Sequence, residues 1–332
     1  MNKKSKFRKL AASQEFIVFI ILILLYVGFS VLNPQFARYT TLVTMFDYAN
    51  FYMLMAFGVG LTLITGGVDL SIGTGLIAYA AVGGAVVRFL EAPVIVGILV
   101  TLLVAGIFGL ANGILVGVMN LPPFLVTLCT SMIARGAGSL AANNHAIPWP
   151  MLSQPGGWFH NIFKIKTEAG TLIPIGFIWV LILMFVMRYV LNSTKFGRYV
   201  IAIGSNMEAT MLSGVNVKFY HVMVYAVCGL FTGVAALAYA AVTPTIQPGQ
   251  GAGMEMDAIG GAIVGGVSAA GGYGTIPGIF IGTYVILVLK VGLPFIGLNA
   301  NWQQIITGLV LLAAVLIDIV KQKRAAKPHY SS

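Results

Sequence analysis

Four histidines, two cysteines and nine acidic residues are the groups in this chain best suited to acid–base, nucleophilic or metal chemistry, and their spacing assembles none of it. His145, His160, His221 and His329 are scattered over loops and one span edge. Cys129 and Cys228 each lie alone inside an apolar segment, which suits neither a metal set nor a disulfide framework. No G-x-x-x-x-G-K-[ST] run is present to cradle phosphate. No catalytic residue and no metal or cofactor site is therefore assigned in this chain. Asp69 stands apart, as the only acid near the interior of an apolar span, in Gly66-Gly67-Val68-Asp69-Leu70-Ser71-Ile72-Gly73. A carboxylate at the centre of a span costs about 2.5–3.5 kcal/mol on insertion scales, so its retention needs a reason. Two reasons are open. Asp69 and Ser71 could cap the next helix by accepting from its free N–H groups, or they could line a path for a polar solute.

The elements that must position these groups are apolar almost throughout. Of 332 residues 58% are hydrophobic and 8% charged, against about 25% charged in a soluble domain. The reading is an all-α polytopic membrane protein with about ten transmembrane helices in a single domain over 1–332. The predicted spans are 16–32, 46–65, 70–90, 93–119, 124–141, 172–190, 219–241, 258–270, 276–293 and 302–320. The eighth is short and glycine-rich, which fits an irregular or protein-buried crossing. Lys3, Lys4, Lys6, Arg8 and Lys9 precede the first span, which is long and followed by no small-residue cleavage site, so it reads as an uncleaved helix. Ten spans put both termini on one side. That side carries 13 of the 19 basic residues, including Arg188, Lys195, Arg198, Lys218 and Lys321, and is expected to be cytoplasmic. The net charge of +10 follows span ends and forms no basic stripe, so nucleic acid is not an expected partner; the lipid bilayer is.

Glycines recur at four-residue spacing: Gly109, Gly113 and Gly117; Gly229 and Gly233; Gly261 and Gly265; Gly278 and Gly282. They predict close helix contacts, either within the chain or between two copies. Two glycine-rich breaks, 66–73 and 265–278, fall on the cytoplasmic side of the ten-span plan. Irregular backbone at membrane depth is tolerated where it is protein-buried or lines a wet cavity, so the two together suggest the inner mouth of a pathway. Asn112, Thr127 and Gln303 are the other polar candidates for its wall. The loop 143–170, with Trp149, Trp158 and Phe159, is expected outside, as an interfacial loop or as a dock for an external partner. The polar segment 194–218 holds a short helix from about 206 to 213. Ser205 and Glu208 have the spacing of a capping box, Gly214 supplies a stop, and Met207, Met211 and Leu212 form an apolar side. A helix of two turns is not stable alone and must pack on something.

Six stretches carry a family likeness: GGVDLSIG (66–73), NGILVGVMNLPPFLVTL (112–128) with ARG (134–136), TKFGRYVIAIGSN (194–206), LSGVNV (212–217), MDAIGGAIVGGVSAAGGYGTIPG (256–278) and NWQQIITGLVLLAAV (301–315). In this order, over nearly the whole chain, the sequence resembles the permease subunits of bacterial ATP-binding-cassette importers for simple sugars, the group of the ribose, xylose, arabinose and galactose permeases. The doubled proline at Pro123 and the glycine-rich 258–261 run depart from the usual pattern without disturbing the class. The resemblance implies a multi-pass protein of the bacterial plasma (inner) membrane. It also implies a cytoplasmic ATPase partner that holds ATP and Mg, an external sugar-binding protein, and a second permease subunit, identical or similar. It makes 194–218 the coupling segment, in which Gly197, Arg198, Gly204, Asn206, Glu208, Ala209 and Gly214 would shape the contact with the ATPase.

Two other classes compete. An ion-coupled secondary transporter of a small polar solute needs intramembrane acids, and the spans are almost free of them. A membrane-embedded enzyme needs a cluster of His, Cys or acid, and none is readable.

Overall fold

The computed structural model describes residues 14–166, 172–243 and 245–325, with side chains described as far as residue 320 in the last helix. Lys3, Lys4, Lys6, Arg8, Lys9, Lys327 and His329 lie outside the described residues, as do the side chains of Lys321, Lys323 and Arg324. The helices are α1 (Gln14–Leu32), α2 (Tyr39–Ile64), α3 (Ile72–Phe89), α4 (Val94–Gly117), α5 (Pro123–Ala141), α6 (Gly176–Ser193), α7 (Lys195–Ser205), α8 (Met207–Leu212), α9 (Val217–Val242), α10 (Met254–Val264), α11 (Ile276–Gly292) and α12 (Ala300–Ala325). A two-residue hairpin, β1 (Ile165–Lys166) with β2 (Leu172–Ile173), is antiparallel with Ile165 opposite Ile173. Among the described residues nine helices are long and apolar enough to cross a membrane. The tenth crossing is different. There α10 has 11 residues, about 16 Å at the helical rise, and irregular chain completes the passage on both sides of it.

Three spans start four or more residues from where the apolar runs predict: α10 at Met254 against 258, and α2 and α6. The helix α2 begins at Tyr39, through Thr40, Thr41, Thr44 and Asp47. These polar groups are held in different ways: Thr44 Oγ1 donates to the Thr40 carbonyl at 3.0 Å, and Asp47 pairs through Oδ2 with Lys164 from far along the chain. Conversely α6 begins at Gly176, because Leu172 and Ile173 are taken by the hairpin and Pro174 follows them.

Contacts define two faces. On one, the Gln14 side chain stands 2.8 Å from where a Gly266 side chain would begin, Asp318 Oδ2 accepts from the Ala269 N–H at 3.1 Å, and the Gly272 N–H donates to the Ile64 carbonyl at 2.8 Å. The helices α7 and α8 sit here too, so both described chain ends share the face of the polar segment. On the opposite face Asn33 Nδ2 donates to the Phe295 carbonyl at 2.8 Å, and Ile147 pairs with Ile246. The loop after α5 is tied down there. Trp149 is buried, donates from Nε1 to the Ala80 carbonyl at 3.1 Å and stacks on Phe159 with centroids 5.0 Å apart. His160 lies 2.7 Å from the Ala241 carbonyl and 2.8 Å from that of Pro150. Of the three aromatics expected at an interface, only Trp158 is exposed.

The core is built around α2 and α3, which are buried on nearly all sides from Ala49 to Ile64 and from Ile72 to Ala81. The helices α1 and α12 lie outside. Phe29 of α1 rests on Gly292, Glu15 accepts from Thr275 Oγ1 at 2.5 Å, and outward Ile20, Leu24 and Val31 are exposed. That exposure is what a lipid-facing surface requires.

The glycine rows are contacts within the chain. A side chain at Gly109 would start 2.9 Å from the Gly229 Cα, and one at Gly229 would start 2.7 Å from the Gly109 Cα, so α4 and α9 touch backbone to backbone. Gly113 meets the Val222 backbone, Gly233 meets Ala105, and Gly261 meets Thr283. Apolar side chains gain little by leaving lipid for one another, so this close approach supplies dispersion instead. Gly109→Val is expected to lower stability by about 1–3 kcal/mol, the usual cost of overpacking. A thermal unfolding series in detergent, with Gly136→Val as the control at an open glycine, checks it.

Candidate functional site

The break after α2 is built from its glycines. Gly66 takes φ +82°, its N–H donates to the Leu63 carbonyl at 2.9 Å, and the Gly67 N–H donates to that of Thr62 at 2.9 Å. This is a Schellman stop. A side chain on Gly67 would begin 2.5 Å from the Tyr225 hydroxyl, so glycine lets the chain pass beneath that ring. The segment then turns in among the helices. Tyr225 and Thr127 donate to the Val68 carbonyl at 3.3 and 3.4 Å. Asp69, 1% exposed, accepts on Oδ1 from the Ser71 N–H at 2.9 Å and from Ser71 Oγ at 2.6 Å. Asn112 Nδ2 donates to Ser71 Oγ at 3.0 Å, and the Cys228 thiol lies against the Asp69 carboxyl. Neither Asp69 nor Ser71 caps α3: Ser71 is itself in helical conformation and makes no side-chain cap. In place of the cap, one of the two readings left open, stands a turn closed on the Asp69 side chain. The result is a sealed polar latch that holds backbone groups which lipid could not satisfy.

The second break repeats the first stop. Gly266 takes φ +96°, with Gly266 N–H to the Ile263 carbonyl at 2.9 Å and Val267 N–H to that of Ala262 at 3.0 Å. The two breaks meet where Gly272 donates to Ile64. A cavity of about 540 Å³ opens beside them on this face, lined by Gln14, Ser205, Ser268, Tyr273 and Asp318 among others.

The polar segment holds two helices, where one was expected. Thr194 caps α7 by accepting from the Gly197 N–H at 3.3 Å. Gly197 is required because a side chain there would overlap the Leu191 backbone, and Gly204 packs on Ile64 and Gly272. Asn206 caps α8, accepting on Oδ1 from the Ala209 N–H at 2.9 Å. The expected capping box with Ser205 is not formed, because Ser205 Oγ instead donates to the Ile201 carbonyl at 2.9 Å. Gly214 at φ +85° ends α8 with a third Schellman stop. Glu208 stands exposed in the first turn, a favourable place for an anion at a helix N-terminus, and exposed Arg198 donates to the Ser193 carbonyl at 3.4 Å. The apolar side of α8 is uncovered: Met207 is 46% exposed, Met211 57% and Leu212 85%.

Four of the five expected pathway residues, Asp69, Ser71, Asn112 and Thr127, thus converge on the latch, buried from solvent. Gln303 is elsewhere, in a cavity at the opposite face. Tyr225 and Cys228 belong to the latch but are absent from the expected set. Inside an apolar span nothing but their weak polarity marks them, and only the fold brings them to residues 68 and 69. No group of three or more metal-ligating side chains occurs among the described residues.

The model of the branched-chain amino acid transport system / permease component family matches residues 41–315. The chain belongs to this family of membrane transport permeases. It is 32% identical to the ribose import permease protein RbsC of Escherichia coli over 306 residues, which is 91% of this chain and 93% of that protein. It is 30% identical to the galactose/methyl galactoside import permease protein MglC of Salmonella typhimurium over 345 residues, with 98% of each covered. RbsC of Bacillus subtilis is 31% identical over 301 residues, 90% of this chain and 91% of its own length. No solved structure matches the chain.

The latch yields a graded expectation. Asp69→Ala leaves the Ser71 N–H and hydroxyl without their acceptor and is expected to cost about 1–3 kcal/mol for each unpaired group. Asp69→Asn keeps an acceptor oxygen and is expected to cost less. Thermal unfolding of the two variants in lipid nanodiscs checks the order, and equal losses would count against the latch.

Proposed function

We propose that the chain is the membrane-spanning subunit of an ATP-driven importer and forms the pathway for a monosaccharide handed over by an external binding protein. The full-length likeness to sugar import permeases supports the substrate class. The observation that carries the coupling role is α8: a capped and stopped helix standing on one face with Met207, Met211 and Leu212 uncovered. A two-turn helix with a bare apolar side needs a partner surface. An ATPase subunit on the cytoplasmic face, holding ATP and Mg, fills that role, with the protein in the bacterial inner membrane. A second permease subunit would complete the assembly, and the anchored residues 143–166 face the side from which the binding protein docks.

Force has a short route inward. Ser205, at the end of α7, touches Gly272 at 3.4 Å, and Gly272 holds the end of α2. Residues Gly197, Arg198, Gly204, Asn206, Glu208, Ala209 and Gly214 shape this lever. Asp69 is committed to Ser71 and Asn112, which speaks against an ion-coupled carrier that would need it open. The latch residues then act by holding the inner break, whose opening would release solute.

Two substitutions test the lever. Ala209→Pro removes the N–H that Asn206 caps, and is expected to leave membrane insertion intact while abolishing ATP-driven sugar uptake. Leu212→Asp alters only an exposed surface and is expected to weaken ATPase co-purification and lower uptake in step. Normal uptake in both variants would refute the coupling role.

A further inference from the structure

We infer that the cavity between α10, α11 and α12 at the face opposite α8 is a binding station for a neutral polyhydroxylated solute, read by the Asp257–Lys290 pair with Gln303, Gln304 and Thr307. The inference rests on the monosaccharide reading above and adds a place and a set of groups to it.

The cavity has a volume of about 580 Å³, ample for one sugar ring with water. Its floor is the ion pair between Asp257, in the first turn of α10, and Lys290, in the last turn of α11. The Lys290 ammonium also lies 4.9 Å from the centroid of the buried Tyr52 ring. Its wall is the start of α12, where Gln303, Gln304 and Thr307 share one side. Lysine, aspartate and two glutamines facing lipid would be costly. Gln304 is nonetheless exposed, as is Gly308 one turn on, while neighbouring Trp302, Ile305 and Leu309 are apolar and exposed as lipid-facing residues should be. One strip of an otherwise lipid-facing helix is therefore made for water or a polar solute.

The chemistry selects the solute. Asp257 and Lys290 neutralise each other, so the floor carries no net charge to hold an ion. Each amide and the Thr307 hydroxyl can both donate and accept, which matches the paired capacity of sugar hydroxyls. A zwitterionic amino acid would need the two charges apart, and they are bonded together. The location also fits a path: α10 is the half-helix whose far end stops at Gly266, beside the inner cavity. The station thus sits at one end of the crossing that is least complete as a helix.

The test uses the full-length chain in nanodiscs, with Cys129→Ser and Gly308→Cys. A side chain at Gly308 meets nothing within 4 Å, so the thiol is tolerated, and the remaining Cys228 is buried. Maleimide labelling is timed with D-ribose, D-xylose, L-arabinose, D-galactose or L-leucine present. At least one sugar is expected to slow labelling, about tenfold at ten times its Kd by mass action, and leucine is not. In the complete importer, Gln304→Leu and Thr307→Val are expected to raise the KM for uptake roughly three- to tenfold, the worth of one neutral hydrogen bond, at unchanged amounts in the membrane. Leucine protecting while no sugar does overturns the chemical class. Wild-type sugar uptake with no protection and with both variants at wild-type KM overturns the station and leaves the proposed function standing. A wild-type importer that carries none of the four sugars overturns the monosaccharide reading itself.

Discussion

A backbone N–H or C=O that meets hydrocarbon unpaired costs several kcal/mol, and this chain interrupts its helices twice where that cost applies. Both interruptions are closed the same way. A left-handed glycine folds the last turn back on itself, at Gly66 and at Gly266, and the chain beyond is then held by protein groups. Gly272 N–H on the Ile64 carbonyl joins the two closures into one. The Asp69 turn extends that logic inward, since its carboxylate serves as the acceptor that helix geometry can no longer provide. Without these closures α2 and α10 could not stop where they do, and the cavity beside the two breaks would not exist.

Close packing does the rest. The α4–α9 and α10–α11 pairs approach until only hydrogen fits between their backbones, at Gly109 with Gly229 and at Gly265 with Gly278. In lipid this matters more than it would in water, because no hydrophobic penalty drives the helices together. On α1, α4, α6 and α12 most apolar side chains point outward instead, while α2 and α3 keep theirs in the core.

Much of this was legible beforehand, for physical reasons. A run of some twenty apolar residues has few alternatives to a membrane helix, so the long spans could be read directly. Glycine pairs signalled the breaks because few other residues turn a helix back. The extent of α2 was hidden, since Thr40, Thr41 and Thr44 before the predicted span look like loop residues, and Asp47 just inside it finds Lys164 only from far along the chain. Ser205 and Glu208 spelled a capping box, but the preceding α7 consumed Ser205 and left Asn206 to cap. The latch was half visible: Asp69 and Ser71 are neighbours, whereas Asn112, Thr127, Tyr225 and Cys228 join them only through packing. The Asp257–Lys290 pair was invisible for the same reason, Lys290 lying alone in its span and Asp257 just before the predicted eighth.

Helix α1 makes its few specific contacts with segments that come some 260 residues later: Glu15 with Thr275, and Asn33 with Phe295. During synthesis it therefore enters the bilayer long before its docking surface exists. Residue for residue, it must survive alone as a lipid-solvated rod, which its continuous apolar surface permits. The last helix meets the same face through Asp318 and Ala269. First and last helices thus clasp one loop, 265–275, from two sides. The fold is completed at this face only once the final span has been threaded, so a truncated chain would insert yet leave the loop 265–275 held from one side.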